Sequence, residues 1–351
     1  MESFPSVSAG SLDLDLSYVQ HANLNLERIT EPQCKQIQQL HLTYNSLTFF
    51  PSSLCMFSNL EYLDMSNNAL VVFPEDILQL TKLKTLVAKN NQLDEASFPK
   101  QFSSMLIETL NFSGNRFREI PSQFLELSQL RSLSMGGNRL KSIPAEIKKL
   151  TRLEMLYLGG NLISFIPPEL ANLHLLKYLV LCDNCIRSVP PQLYRLHSLL
   201  SLSLHNNLLT FLPRELLSLV HLQELSLRGN PLVVRFIKDI TNDPPSLLEL
   251  AGRTIKSHNV PYLVSDLPAN LCRYLNSASK CPNPRCAGVY FESRVPHIKF
   301  IDFCGKYRLP LMHYLCSPEC SSPCSSNSQS DAESEDESSV SEDKLQRVLL
   351  G

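Results

Sequence analysis

The sequence predicts an α/β solenoid, in which stacked coils place a parallel sheet on the concave side of a horseshoe. One observation behind this prediction is a sequence pattern that recurs nine times. In each copy, leucine or another apolar residue alternates with variable residues, and an asparagine follows. A second is an apolar residue followed by proline in the later half of most copies. After the solenoid, short helices and a small β-rich cysteine unit are expected.

The asparagines mark the repeat most clearly, at intervals of 23 residues with a single step of 24. They are Asn45, Asn68, Asn91, Asn115, Asn138, Asn161, Asn184, Asn207 and Asn230. The surrounding pattern, L-x-L-x-x-N-x-L, predicts a strand that points alternate leucines into a shared core. Each asparagine amide would bond backbone groups of its own turn and the adjacent coil, so that the stacked amides form a buried ladder. This pattern resembles the leucine-rich repeat family, which implies a horseshoe over residues 37–240.

The apolar-proline signal predicts the convex side of the coils. It runs from Phe50-Pro51 to Leu212-Pro213 in eight copies. Since proline fixes φ at the start of each segment, short helical or 3₁₀ turns are expected there. Residues 1–36 are expected to cover the open end of the array, with the LDLDL phrase as an imperfect strand.

Side chains between the core leucines are expected to line the concave face in columns. Neighbouring columns bring several apolar and aromatic residues together, a composition typical of a protein-binding hot spot on a solvated sheet. The alternative is that they pack only against each other across strands. The candidate substrate-binding residues are Tyr62, Met155, Tyr157, Tyr178, Val180, Cys182 and His205.

Two amphipathic helical phrases follow in residues 241–276. The first carries Ser246, Leu247, Leu250, Ala251 and Ile255, and the second carries Leu267, Pro268, Leu271, Tyr274 and Leu275. The pair resembles the SOCS box of ubiquitin-ligase substrate receptors. The resemblance implies that the first set binds elongin B and elongin C, and that the second set binds a cullin with its RING subunit.

Two departures from that box leave the choice of cullin open. Ala251 replaces the more usual cysteine, and Ser265-Asp266 stands where a second aliphatic-proline pair would mark the fifth cullin. The alternative is that these helices only cap the carboxyl end of the array.

Residues 277–320 contain two cysteine pairs, Cys281 with Cys286 and Cys316 with Cys320, on either side of a β-forming stretch. Such pairs resemble a zinc ribbon, in which four thiolates close a tetrahedral site around one structural zinc ion. The alternative is a β-rich appendage with ordinary buried thiols. Cys304, Cys324 and His313 are substitute ligand candidates.

Bulk properties exclude several classes of protein. The formal charge is −2, and seven acidic residues between 331 and 343 leave about +5 elsewhere, too little to indicate nucleic-acid binding. No run of about 18 apolar residues and no secretion signal is found, so no membrane span is expected. Eleven cysteines, without the cysteine-rich caps of secreted repeat proteins, favour reduced thiols in the cytoplasm or the nucleus. Residues 321–351, acidic and rich in serine, are predicted to be disordered.

Two function hypotheses remain. The first is a non-catalytic adaptor that serves as substrate receptor of an elongin-cullin-RING ubiquitin ligase. The second is a signalling scaffold whose repeats bind a small GTPase or a phosphatase, without any ligase. An enzyme is not expected, because the sequence contains no phosphate loop, nucleophile elbow or zinc-hydrolase helix motif.

Overall fold

The computed structural model describes residues 12–19, 29–232, 245–262, 266–284, 286–303 and 307–321. Their contacts form two compact units. The first takes in the described residues up to Thr210 together with Glu215–Pro231, and the second takes in Phe211–Arg214 with the described residues from Leu232 onward. The predicted end of the repeats at residue 240 and the acidic tail beyond Ser321 lie outside the described residues.

Within its described residues, the first unit contains a ten-stranded parallel sheet whose strands follow chain order. The strands are β1 (Asp13–Asp15), β2 (Gln39–His41), β3 (Tyr62–Asp64), β4 (Thr85–Val87), β5 (Thr109–Asn111), β6 (Ser132–Ser134), β7 (Met155–Tyr157), β8 (Tyr178–Val180), β9 (Ser201–Ser203) and β11 (Glu224–Ser226), while β10 (Leu212–Pro213) belongs to the second unit. The central leucine of each strand is buried, except in β11. The LDLDL phrase therefore supplies a further strand before the nine repeats.

The predicted asparagine ladder is present. Asn161 shows its chemistry: Oδ1 accepts a hydrogen bond from Leu140 N of the preceding coil at 3.0 Å. Its Nδ2 donates to Met135 O at 3.0 Å and to Leu158 O at 2.9 Å. Every ladder asparagine is buried except Asn68, which is half-buried. Asn161 thus joins two coils and supplies the acceptor for a buried backbone N–H of the preceding coil, while Met135 O and Leu158 O are each shared with a neighbouring ladder amide.

The residue before each ladder asparagine lies in the left-handed backbone region. Three of the nine positions are asparagine, four are glycine, and the remaining two are Tyr44 and Asp183. Asparagine and glycine are the residues that adopt this conformation at least cost, which explains the recurrent Asn-Asn and Gly-Asn pairs. The turn after each strand therefore has one backbone geometry in all nine copies.

The opposite side of the coils carries short helical segments, as the prolines predicted. Near the amino end, α1 spans Glu31–Cys34. One later coil has a single α-helical turn, α2 (Ser122–Leu125). The other described segments are 3₁₀ helices at Ser52–Met56, Glu75–Gln79, Lys100–Ser104, Ala145–Lys149, Pro168–Asn172, Pro191–Arg195 and Arg214–Ser218. Between sheet and helices, Phe98 packs against the rings of Phe112 and Phe124 at centroid distances of 5.1 and 4.8 Å. These rings fill the interior of the central coils.

The second unit combines helices and hairpins. It contains α3 (Leu247–Ser257), α4 (Ala269–Asn276), β12 (Ser279–Lys280), β13 (Val289–Tyr290), β14 (Val295–Phe303), β15 (Tyr307–Leu315) and a 3₁₀ helix at Pro318–Ser321. Strand β12 pairs with β13 and β14 pairs with β15, both antiparallel, and β10 pairs in parallel with β15. In the described part of the chain, no helix has the length and apolar character needed to cross a bilayer.

Candidate functional site

The predicted cluster on the sheet exists as a set of paired strand positions. Met155 lies beside Tyr178, and Tyr157 lies beside Val180, in the register of β7 with β8. Met155, Tyr157 and Tyr178 are 40%, 38% and 41% exposed. Paired strand residues contact one another, yet these retain more than a third of their surface in solvent. We call Met155, Tyr157, Tyr178 and Val180 the strand-face cluster.

Two glycines shape the space beside the strand-face cluster. A β-carbon on Gly136 would lie 2.0 Å from Cε1 of Tyr157, so the phenol ring occupies the place of a side chain there. A β-carbon on Gly159 would lie 2.7 Å from Cys182 Sγ. The glycines that follow them, Gly137 and Gly160, have φ of 63° and 67°. Of each Gly-Gly pair, the first residue therefore admits a neighbouring side chain and the second makes the turn.

Cys182, Asp183 and His205 lie close together, with their donor atoms all within 4.8 Å of one another. Burial and the adjacent Asp183 carboxylate raise the pKa of Cys182 to about 11. The ring of His205 has Nδ1 2.9 Å from Ser203 Oγ and Nε2 3.7 Å from Asp183 Oδ2. Since a thiol reacts as its thiolate, the raised pKa leaves Cys182 with little of the reactive form near neutral pH. It is only 7% exposed, so a bound partner would reach its sulfur only slightly.

A row of charged side chains runs beside the strand-face cluster. Glu154 accepts a hydrogen bond from Arg131 at 2.9 Å and another from Lys177 at 2.6 Å. These two donors hold the pKa of Glu154 below its usual value. Glu154 and Lys177 directly precede Met155 and Tyr178, the first residues of β7 and β8, so apolar and charged groups are presented side by side.

Helix α3 shows an apolar edge to solvent. Ser246 is its N-cap, with Oγ accepting from Glu249 N at 3.1 Å. Leu247, in the first turn, is 87% exposed, and Leu250 and Ala251 are exposed on the same side. Ile255, the last residue of the predicted elongin-binding set, is half-buried and packs on a small core instead.

The other side of α3 is anchored by a buried ion pair. The carboxylate of Glu249, 2% exposed, accepts from the backbone amides of Phe291 and Ser293 at 3.0 and 2.7 Å. It also pairs with Arg253 at 2.7 Å, and Arg253 Nη1 donates to Cys316 O at 2.7 Å. The anchored side and the exposed leucine edge are therefore opposite faces of one helix.

Helix α4 divides the predicted cullin-binding residues between core and surface. Leu275 is buried, and the ring of Tyr274 stacks on Phe291 with centroids 4.5 Å apart. Leu267 packs on the same core. Pro268 is exposed and Leu271 is half-exposed, so these two are the members of the set that α4 leaves open to a partner.

The four predicted zinc ligands converge. The sulfurs of Cys281, Cys286, Cys316 and Cys320 all lie within 4.8 Å of one another, although the two pairs are 30 residues apart in the chain. Cys281 is buried and the other three are half-buried. His313, one of the substitute candidates, lies in β15 and is not part of this group, and Cys304 and Cys324 are outside the described residues.

Comparisons with known proteins agree with the repeat geometry. The model of the family described as "Leucine rich repeat" matches residues 35–93, 106–163 and 174–232, about half of the chain. The chain belongs to the leucine-rich repeat family. It is 64% identical to the Xenopus laevis protein called leucine-rich repeat-containing protein 58, over 99% of both chains. It is 71% identical to the Homo sapiens protein of that name over 126 residues, which is 34% of each chain.

A solved leucine-rich repeat structure is also similar. It is the ectodomain of a plant membrane receptor kinase from Arabidopsis thaliana, in complex with CASPARIAN STRIP INTEGRITY FACTOR 2. Sequence identity is 34% and the TM-score is 0.49, with 57% of this chain and 25% of that chain covered. This chain therefore spans about a quarter of that ectodomain.

Several residues predicted to face a partner lie elsewhere: Ile255, Leu267, Tyr274 and Leu275 pack in the small core of the second unit, and Cys182 is almost fully buried. Tyr62 lies in the same column as Tyr178 but at β3, four strands before β7, so it is not part of the strand-face cluster. The anchoring roles of Glu249 and Arg253 were not predicted. Their four-residue spacing was visible, but the same spacing is typical of solvated ion pairs on helix surfaces. The family assignment and the exposed strand face support a protein-interaction adaptor.

Proposed function

We propose that this protein is a non-catalytic, cytoplasmic substrate receptor of an elongin-cullin-RING ubiquitin ligase. The strand-face cluster captures a protein substrate, and α3 docks elongin B and elongin C. The receptor itself forms and breaks no bonds. It raises the effective concentration of substrate lysines near the transfer enzyme, which accelerates ubiquitination by positioning.

The exposure of Leu247 is the observation on which this proposal depends. A leucine that is 87% exposed gains little from burial within its own chain, whereas burying it in a partner's groove would gain about 1.5–3 kcal/mol. Leu250 and Ala251 follow at the three- and four-residue spacing by which amphipathic helices present anchors to a groove. Because Glu249 fixes the opposite face, this edge is held in place before a partner arrives.

The substrate side of the proposal is supported by the composition of the strand-face cluster. Tyrosine and methionine are enriched at protein interfaces, where they bury large areas at low entropic cost. The row formed by Arg131, Glu154 and Lys177 beside them supplies the polar rim that protein interfaces usually have. Such a rim contributes mainly to specificity and association rate.

The cullin contact is proposed for the exposed part of α4. Because Tyr274 and Leu275 pack internally, Pro268 and Leu271 are the members of the predicted set that remain open to a partner. Tyr274 and Leu275 would then act by holding the helix in its orientation. The side chains of Pro268 and Leu271 do not indicate which cullin is bound.

The elongin contact is tested with purified proteins. Full-length chain is mixed with elongin B and elongin C, and complex formation is followed by gel filtration and calorimetry. We expect Leu247→Asp to weaken binding at least about 30-fold, since a charge would be buried in an apolar groove. Val260→Asp is the matched control, because Val260 is also exposed in the second unit but lies beyond the end of α3.

Wild-type protein that forms no complex with elongin B and elongin C would overturn the ligase proposal. That result would favour the scaffold hypothesis, in which the repeats act alone. Equal loss of binding in Leu247→Asp and Val260→Asp would show that α3 does not make the contact.

A further inference from the structure

We propose that Cys281, Cys286, Cys316 and Cys320 bind one zinc ion as a tetrathiolate, and that this metal holds together the unit that orients α3. The inference does not depend on the ligase proposal, because metal content and elongin binding are separate measurements.

The distances between the sulfurs fit a tetrahedral metal site. Cys316 Sγ lies 3.5 Å from both Cys286 Sγ and Cys320 Sγ. Zn–S bonds of about 2.3 Å place the sulfurs of a tetrahedral site about 3.8 Å apart. A disulfide would need about 2.05 Å between two sulfurs. The four thiols are therefore spaced for a common metal ion and are not paired with one another.

The backbone around the sulfurs is also arranged for a metal. Gly288 N donates to Cys286 Sγ at 3.3 Å, and hydrogen bonds of this kind stabilise the charge on a ligating thiolate. A β-carbon on Gly288 would lie 2.8 Å from Cys316 Sγ and 3.1 Å from Cys286 Sγ. Gly288, which has no side chain, thus lies where Cys286 of one pair approaches Cys316 of the other.

The two cysteine pairs belong to different loops of the second unit. Cys281 and Cys286 lie between β12 and β13, where Cys281 N donates to Gly288 O at 2.9 Å within the loop. Cys316 and Cys320 follow the end of β15, and Asn283 Nδ2 of the first loop donates to Cys320 O at 3.0 Å. A metal bound by all four thiolates would add a link between the loops far stronger than this hydrogen bond.

The core beside the cysteines is small. Among the described residues, the core cluster next to α3 and α4 has three buried members, Leu275, Val289 and Phe291. Further buried apolar residues of the second unit, such as Leu311 and Leu315, belong to the hairpin of β14 and β15. A bound metal adds stability to a cluster of this size. Arg253 connects the site to α3, because it donates to Cys316 O and pairs with Glu249.

Zinc binding to four neutral thiols releases four protons and leaves a site of net charge −2, with no change of oxidation state. The guanidinium of Arg253, held against Cys316 O, lies on the side where this charge develops. Zinc is favoured over magnesium or calcium because thiolates are soft ligands and all four donors are sulfur.

Metal content of the full-length protein tests the inference directly. Protein purified without added metal is analysed by elemental mass spectrometry, and we expect one zinc per chain. Cys281→Ser and Cys316→Ser should each lower the zinc content at least about tenfold. Cys272→Ser is the matched control, since Cys272 is a half-buried thiol of the same unit outside the cluster, and it should retain full zinc.

Cobalt substitution of wild-type protein keeps the test independent of whether the variants fold. Cobalt bound by four thiolates gives intense visible bands, and zinc should displace it with a stoichiometry of one. Removal of zinc from the wild type by a chelator should make α3 and the hairpins at least about tenfold more sensitive to limited proteolysis, while the repeats stay resistant. Freshly purified protein without zinc, iron in place of zinc, or full zinc content in both ligand variants would each overturn the inference.

Discussion

The phenol ring of Tyr157 lies over Gly136, so closely that a β-carbon there would be 2.0 Å from its Cε1. The aromatic centre of the strand-face cluster thus depends on a missing side chain in the preceding repeat. Two residues 21 positions apart form one surface feature, because each coil stacks on the one before it.

Gly136→Ala should displace the Tyr157 ring at little cost in stability. The ring is partly exposed and can swing into solvent, so the free energy of unfolding should fall by less than about 1 kcal/mol. Burial raises the pKa of Tyr157, and displacement should return the pKa toward its usual value. Faster nitration of Tyr157, measured by peptide mass spectrometry, would show the change.

Gly137→Ala serves as the control for that prediction. With φ of 63°, Gly137 resists any L side chain, so the variant should lose about 1–2 kcal/mol of stability in urea titrations. Its β-carbon would meet no atom closer than 3.5 Å, so nitration of Tyr157 should stay at the wild-type rate. A nitration rate that rises equally in both variants would contradict the proposed contact.

Cys182 should react very slowly with alkylating reagents. With its pKa raised to about 11, only about one thiol in a thousand is ionised at pH 8, and the rate should climb as the pH approaches 11. Asp183→Asn removes the carboxylate that helps to raise this pKa, and should accelerate alkylation about tenfold. The left-handed backbone at position 183 tolerates asparagine, since Asn206 has φ of 53° at the same place in the next repeat.

Quantitative mass spectrometry of iodoacetamide labelling measures these rates. Cys272 is in the other unit and should label at the same rate in wild type and Asp183→Asn. Labelling of Cys182 that is already fast at pH 7, or that does not depend on pH, would contradict the burial and charge described for it.

Asn161→Ala should weaken the array by roughly 1–3 kcal/mol, because the substitution leaves Leu140 N without its acceptor in a buried environment. Met135 O and Leu158 O would each lose one of two amide donors and keep the other, from Asn138 and Asn184. Asn68→Ala should cost less, because Asn68 is half-buried and water can replace its amide. Urea unfolding together with hydrogen exchange of the flanking coils would measure both, and equal losses would argue against burial as the cause.

Glu249→Gln should destabilise the second unit by about 2–4 kcal/mol at pH 7. The change leaves the half-buried Arg253 without its counter-charge and weakens the bonds to the amides of Phe291 and Ser293. Glu292→Gln, at an exposed position, should have no measurable effect. Limited proteolysis and urea unfolding of the full chain would compare the two variants.

The effect of Glu249→Gln should shrink in acid. Burial alone would raise the pKa of Glu249, but the hydrogen bonds from Ser293, Phe291 and Arg253 outweigh it and hold this pKa below 4.5. A carboxyl whose pKa is lower in the folded state stabilises the protein above the unfolded value, and that contribution is lost as the pH falls through the folded pKa. The free energies of unfolding of wild type and Glu249→Gln should therefore converge below pH 4.5. A difference between them that does not change with pH would contradict this account.

Local patterns in the chain were sufficient to predict the repeats, the ladder and the columns. A period of 23 residues and the alternation of leucines act through each coil and its nearest neighbours, so the strand pairing follows directly from the spacing. The pairing of Met155 with Tyr178 could be read in this way. The same holds for the 3₁₀ segments, because proline restricts φ wherever it stands.

The second unit shows what only the tertiary structure decided. The sequence resemblance assigned Tyr274 and Leu275 to a cullin contact, and it predicted no role for Glu249. Their burial depends on contacts with Phe291 and Ser293, which lie 15 or more residues away and recur with no period. In a repeat array the neighbour of each residue is set by a constant offset, whereas in an irregular unit it is set by the whole packing arrangement, and no local pattern encodes that.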